Sequence, residues 1–257
     1  MSIHVTALVD PAAKLGAGVS VGAYTVVDGE VEIGDGTSVG HHCVMTGKTT
    51  IGRDNRIFHF VSLGEANQDK KYAGEATRLE IGDRNTIREY CSFHRGTVQD
   101  RAVTTIGNDN WLMAYVHIAH DCVVGDQTTI ANCTQLAGHV HVGDWVTLGG
   151  FTGVHQFVKI GAHVMCGVSS VVLMDLPPYV TASGNPLSVV GINAEGLKRR
   201  GFSPEQIASI KAGYKTLYRS GLTLAEAKTQ LAIEANTKPE LKILSEFLAR
   251  STRGIVR

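Results

Sequence analysis

From Ile106 to Val172 every sixth residue is apolar: Ile106, Leu112, Ile118, Val124, Ile130, Leu136, Val142, Leu148, Val154, Ile160, Cys166 and Val172. In a chain that is 43% hydrophobic, twelve such hits in a row lie far outside chance. An α-helix repeats its apolar face every 3.6 residues, so a beat of six excludes one. A short strand followed by a tight corner fits. Three such units close a triangular coil of about 18 residues, and stacked coils form a parallel β-helix. The neighbouring positions suit a narrow interior. The residue after each beat is usually small, as at Gly107, Ala119, Gly125, Ala131 and Gly143. The residue two before it is small or β-branched, with Asn110 the exception.

The same beat runs upstream in another frame: Ile3, Val9, Leu15, Val21, Val27, Ile33, Val39, Met45, Ile51, Ile57 and Leu63, then Ile81, Ile87 and Phe93. Two interruptions, about 64–78 and 94–105, are expected as loops expelled from the prism. No proline falls between Pro11 and Pro177, as ladders of backbone hydrogen bonds require. Cys43, Cys91, Cys122 and Cys166 occupy the inward positions, where a thiol is small apolar filler.

Beyond residue 192 the pattern turns helical. Ser203-Pro204-Glu205-Gln206 and Thr223-Leu224-Ala225-Glu226 are capping boxes, and Pro239 can begin a third helix. Charge shifts at the same place. Residues 193–257 hold 12 Lys/Arg and 6 Asp/Glu, while the whole chain is balanced at 24 of each. The expected organisation is a mainly β chain: a β-helix over 1–192 and a small α-helical domain over 193–257. The balanced charge argues against a general nucleic-acid binder. No transmembrane segment or secretory signal is expected. Five unclustered cysteines point to a reducing cytoplasmic setting rather than a disulfide framework.

Histidines gather in the second half of the repeat: His117, His120, His139, His141, His155 and His163. Residues one coil apart stack, which puts His120 beneath Gly138 and Asp121 beneath His139. Three readings fit. The histidines are merely solvated or buried between subunits, or they hold zinc, or they perform acid–base catalysis. His117 and His120 are three apart on a strand-like segment and are expected to face opposite ways, which disfavours a shared metal. A neutral imidazole can take a proton from a hydroxyl near pH 7, and an adjacent carboxylate can orient it. A glycine amide can donate to an oxyanion. His120, Asp121 and Gly138 supply those types for acyl transfer without a protein nucleophile.

At His117-Ile118-Ala119-His120-Asp121-Cys122 the chain resembles the acyl-ACP–UDP-N-acetylglucosamine O-acyltransferases of lipid A synthesis. Further matching segments are residues 67–75, Ile87-Arg88-Glu89, 94–98, His155-Gln156-Phe157, 161–165, 195–202 and 249–254. The resemblance spans essentially the whole chain and implies left-handed coils. It also implies a homotrimer with sites between subunits, and transfer of a 3-hydroxyacyl group from acyl carrier protein to the glucosamine 3-hydroxyl of UDP-N-acetylglucosamine. It assigns His120 as general base, Asp121 as its assistant and the Gly138 amide as oxyanion donor. Asp69, His117 and His139 would hold the sugar and acyl ends, with Gln68 and Lys71 nearby. His155, Gln156, Asn193, Glu195, Arg199 and Arg200 would contact the nucleotide side. No metal or dissociable cofactor is implied. Many members carry glycine at the end of the acyl groove where this chain has Val168, three residues after Met165, which predicts a preference for shorter acyl chains. Lys198, Arg199, Arg200, Lys211 and Lys215 are candidates for docking an acidic carrier. The alternatives are the related N-acyltransferase, which carries an additional N-terminal uridine-binding domain, and a non-catalytic β-helix scaffold.

Overall fold

The computed structural model describes residues 1–257 as a left-handed parallel β-helix followed by helices. Twenty-six short parallel strands stack into three sheets, which form the faces of a triangular prism. The first sheet starts at Ser2–Ile3, the second at Leu8–Val9 and the third at Lys14–Leu15. Register follows the 18-residue coil: Leu112 lies beside Ile130 and Ile130 beside Leu148. Every beat residue from Ile106 to Val172 is buried, and these side chains fill one continuous core with Cys43, Cys91, Cys122 and Cys166.

Corners close the coils tightly. Nineteen non-glycine residues, among them Tyr115, Asp121, His139, Trp145 and Phe157, take a left-handed backbone with φ between 55° and 73°. That conformation costs about 1–2 kcal/mol per residue, and rings stack on one another at several of these positions. The corner between the first and second sheets carries the parallel rings of Tyr24, His42, Phe60, Tyr90 and Tyr115, with centroids 4.7–5.2 Å apart.

Both expelled loops leave from the corner between the second and third sheets. They cover 66–77 and 95–102, narrower than expected. The flanking strands Ser62–Glu65, Arg78–Ile81 and Val103–Ile106 run on into the expected loop ends, because four-residue strands on adjoining coils pair there. Ile57 lies beside Ile87, and Ile87 beside Leu112, so the first loop adds twelve residues to a coil and the second adds seven. Twelve preserves a frame of six, whereas seven moves it by one. This is the physical origin of the frame change in the sequence.

Where the loops break the even spacing, a buried amide ladder fixes register. Asn55 Oδ1 accepts from the backbone N–H and the Nδ2 of Asn85, at 2.9 and 3.0 Å. Asn85 Oδ1 accepts from the Asn110 N–H at 2.9 Å, and Asn110 Oδ1 accepts from the Thr128 N–H at 2.7 Å. Asn110, the exception among small inward residues, is a rung of this ladder. Asn85→Ala strands buried partners on both adjoining coils and is expected to cost roughly 3 kcal/mol. Thermal unfolding should show Tm lower by about 5–10 °C; an unchanged Tm would contradict the ladder's role.

The top of the prism is closed by an antiparallel pair, Val180–Ser183 with Ser188–Ile192, which the periodicity did not foretell. Helices α1 (Ala194–Arg199), α2 (Pro204–Tyr218), α3 (Leu224–Glu234) and α4 (Lys242–Arg250) follow. Both capping boxes form, at Ser203 and Thr223. Pro239 begins only a 3₁₀ turn that leads into α4, and α1 was not foreseen. The helices enclose a second core around Leu197, Leu217, Leu231, Leu244 and Phe247. At the opposite end the first coil exposes Met1, Ile3, Val5 and Leu8.

Candidate active site

The second–third corner holds His120 and Asp121 on one coil, Gly138 and His139 on the next, and Gln156 and Phe157 above them. The expelled loops curl against this corner and wall a cleft of about 870 Å³. Asn67 Nδ2 donates to the Gly96 carbonyl at 2.9 Å and ties the two loops together. The first loop contributes Gln68, Asp69, Lys70 and Lys71 to the wall, and the second contributes Thr97, Gln99 and Asp100. Asp69 Oδ1 accepts from the Lys71 N–H at 3.0 Å, which fixes the loop tip.

Asp121 is completely buried. Its Oδ2 lies 3.0 Å from His120 Nδ1 and accepts from the Thr97 N–H and hydroxyl at 2.9 and 2.6 Å. Burial would push its pKa up. The His120 ring, the Thr97 hydroxyl and amide and the nearby His139 outweigh burial and hold it below the ordinary carboxylate value. The carboxylate is therefore ionised near neutral pH and acts as an acceptor alone. His120 donates from Nδ1, which leaves Nε2 as a free lone pair on a ring that lines the cleft.

The lack of a side chain at residue 138 makes room for this ring. A Cβ there would fall 2.5 Å from His120 Cε1 and 2.7 Å from Nε2. The Gly138 N–H donates to no protein group, although its carbonyl accepts from Phe157. The residue packed against the His120 ring thus carries a main-chain donor with no protein acceptor, the kind of group that can receive an oxyanion.

The expectation that His117 and His120 face apart is incorrect, since both line the cleft. His117 is the outward residue of the strand His117–Ile118. His120 stands in the corner, where two-residue alternation no longer holds. His117 Nδ1 is 2.8 Å from the Ser92 hydroxyl. Burial lowers its pKa and keeps it neutral. His139 packs edge-on to His120, stacks on Phe157 with centroids 4.3 Å apart, and binds Asp100 through Nδ1 at 2.7 Å. His120, Asp121 and His139 bring ligand-type atoms within 4.8 Å of one another. Asp121 Oδ2 already bonds His120 Nδ1 and Thr97, and His139 Nδ1 already bonds Asp100.

A second cavity of about 480 Å³ shares Gln68, His117 and Ala119 with the cleft and continues along the second sheet past Ala137, Gly153, His155 and Leu173. Of the remaining expected residues, only His155 lines this second cavity. His155 is exposed near Arg253, Met165 is on the first sheet, and Val168 is on the first–second corner. Asn193 caps α1, and Glu195 pairs with Lys198 at 2.9 Å. Arg199 belongs to the same helix. Arg200 lies over Trp145 at 5.3 Å and 3.3 Å from His163 Nδ1, at the third–first corner. Within one chain, Asn193, Glu195, Arg199 and Arg200 stand apart from the His120 cleft.

Sequence reasoning missed His94, Thr97, Asp100 and Phe157. His94 is 6% exposed in the cleft floor, and its Nδ1 has no protein partner. Burial and the adjacent His117 lower its pKa to about 4. Thr97 has a signal in hindsight: a buried aspartate needs donors, and Thr97 follows the stretch His94-Arg95-Gly96 where the beat pauses. The other loop positions carry no periodic signal.

The six-residue beat of this prism is that of the bacterial hexapeptide transferases, whose six-repeat model matches residues 12–47 and 104–138. A second model, UDP-N-acetylglucosamine O-acyltransferase domain 2, matches residues 175–256. The acyl-[acyl-carrier-protein]–UDP-N-acetylglucosamine O-acyltransferase of Thiobacillus denitrificans is 64% identical over 100% of this chain and 99% of its own. The solved LpxA of Acinetobacter baumannii superposes with a TM-score of 0.97 at 49% identity, covering 100% of both chains. The UDP-N-acetylglucosamine acyltransferase of Francisella novicida gives 0.98 at 39% identity, covering 99% of this chain and 94% of the other. The chain belongs to the acyl-ACP–UDP-N-acetylglucosamine O-acyltransferase family.

Proposed function

We propose that this enzyme transfers a 3-hydroxyacyl group from acyl carrier protein to the 3-hydroxyl of UDP-N-acetylglucosamine, the first step of lipid A synthesis, with His120 as general base. The observation that carries the reading is the His120–Asp121 pair packed against Gly138 in the cleft. His120 Nε2 takes the proton of the sugar hydroxyl as its oxygen attacks the thioester carbonyl. The Gly138 N–H receives the developing oxyanion. The carbon–sulfur bond then breaks, and the departing phosphopantetheine thiolate takes the proton back from His120. The sequence balances without a metal or dissociable cofactor. Asp121 stabilises the transient imidazolium.

Asp69, Gln68, Lys71, His117 and His139 surround the place where the sugar would sit. The groove past Ala137 and Gly153 suits the acyl chain. The homotrimer brings the Asn193–Arg200 segment and Met165 and Val168 of one copy against the cleft and groove of the next. Two features support that arrangement: these residues stand apart from His120 within a chain, and Tyr24, Phe60, Tyr90, Tyr115 and Phe151 form an exposed apolar stripe suited to self-association. Arginine at positions 199 and 200 suits a diphosphate, which its planar fork can grip with paired hydrogen bonds. With Lys198, Lys211 and Lys215 they also suit an acidic carrier. No helix is long and apolar enough to cross a membrane, and all five cysteines are unpaired thiols, which suits a cytoplasmic enzyme.

The test is an acyl-transfer assay with UDP-N-acetylglucosamine and a panel of 3-hydroxyacyl carriers. Transfer to the 3-hydroxyl is expected, with shorter chains preferred. Val168→Gly should shift the preference toward chains longer by two to four carbons. No transfer from any carrier overturns the function, while equal turnover of all lengths by both proteins overturns the role of Val168.

A further inference from the structure

Two imidazole N–H groups face one carboxylate oxygen in this site. Asp121 Oδ2 is 3.0 Å from His120 Nδ1 and 3.9 Å from His139 Nδ1. The same oxygen also receives the Thr97 hydroxyl and N–H. A second short bond from His139 would divide its capacity and weaken its hold on His120. The structure avoids this. His139 Nδ1 lies 2.7 Å from Oδ2 of Asp100, on the second expelled loop. The carboxylate accepts only, so the proton on His139 sits at Nδ1 and its Nε2 carries the lone pair. Packing fixes the ring in every other respect, by the stack on Phe157 and the edge contact with His120.

We propose that Asp100 is a positioning residue: by capturing the His139 Nδ1–H it reserves Asp121 for His120. This rests on the general-base reading above. Asp100 touches His139 rather than the reacting groups, and it sits on a loop whose place in the coil no repeat dictates. The charged and titratable groups around His139 are Asp100 on the loop, with Arg101 beside it, His120 and Asp121 from the coil below, and His141 from its own coil. Of these, Asp100 alone lies within hydrogen-bond distance of His139 Nδ1. Without it, the nearest acceptor for that N–H is Asp121.

The test uses the full-length enzyme and compares Asp100→Ala, Asp100→Asn and His120→Ala. Asp100→Ala is expected to lower kcat about tenfold with KM for the carrier unchanged. The acid limb of its kcat profile should move to lower pH, because a shared Asp121 stabilises the His120 imidazolium less. Asp100→Asn should recover most of kcat, since its amide oxygen accepts the same N–H. In a His139→Gln background Asp100→Ala should have no further effect. Wild-type kcat and pH profile in Asp100→Ala, or an equal loss in the His139→Gln background, overturns the proposal. If His120→Ala loses activity while Asp100→Ala does not, this inference alone fails. If His120→Ala keeps full activity, the general-base reading fails with it.

Discussion

His120→Ala is expected to lower kcat by roughly 10²–10⁴-fold, the range for a general base. The variant keeps Asp121, Thr97 and the Gly138 N–H, so binding is expected to persist and KM to change little. In the proposed mechanism the variant loses the acceptor for the sugar proton, a group used in the transition state rather than in the ground state. His120→Gln should fall as far, because an amide fills the space without basicity. Steady-state kinetics with the preferred carrier, at several pH values, checks both variants. Any dependence of the wild-type rate on pH that comes from the imidazole should be lost in each. A wild-type rate in either would remove the imidazole from the mechanism.

Gly138→Ala tests the same geometry from the other side. The backbone there is not left-handed, so alanine brings no φ strain. Its Cβ would still fall 2.5 Å from His120 Cε1, well inside contact distance, and the ring must swing away. The edge contact with His139 and the bond to Asp121 limit where it can go. Displacing a reacting group by about 1 Å can cost 10²-fold in rate, and a loss of kcat at least that large is expected. Thermal unfolding should move by only a few degrees, because the clash falls on a side chain at the prism surface. A fully active, stable Gly138→Ala enzyme would show that the ring does not occupy its catalytic position against residue 138.

The prism was legible because its core is periodic. Twelve beats from Ile106 to Val172 define three faces, and the register of every later coil follows from them. The stacking of residue 120 under 138 and 121 under 139 came from the same arithmetic, and both contacts are present. The loops were legible only as pauses. Nothing in a beat of six says that Thr97 turns its amide into Asp121 or that Asp100 reaches His139, since a chain that leaves the lattice is positioned by its own turns and side-chain bonds. His117 was misjudged for a related reason: strand alternation was extended through a corner. The antiparallel pair over Val180–Ile192 and the short helix α1 also lie beyond the last beat, where six-residue spacing carries no information. The perch of Arg200 on Trp145 depends on how those elements fold back on the column.

The exposed apolar side chains of the first coil make that end the weakest against heat and denaturant. Each coil touches only its neighbours, so loss of order travels as fraying from an end rather than as a single rupture. Helices cover the upper end, and fraying is expected to begin at the foot, where Ile3, Val5 and Leu8 are exposed. Several layers separate that foot from residue 120. The His120 cleft is therefore expected to outlast the unravelling of the molecule's own base.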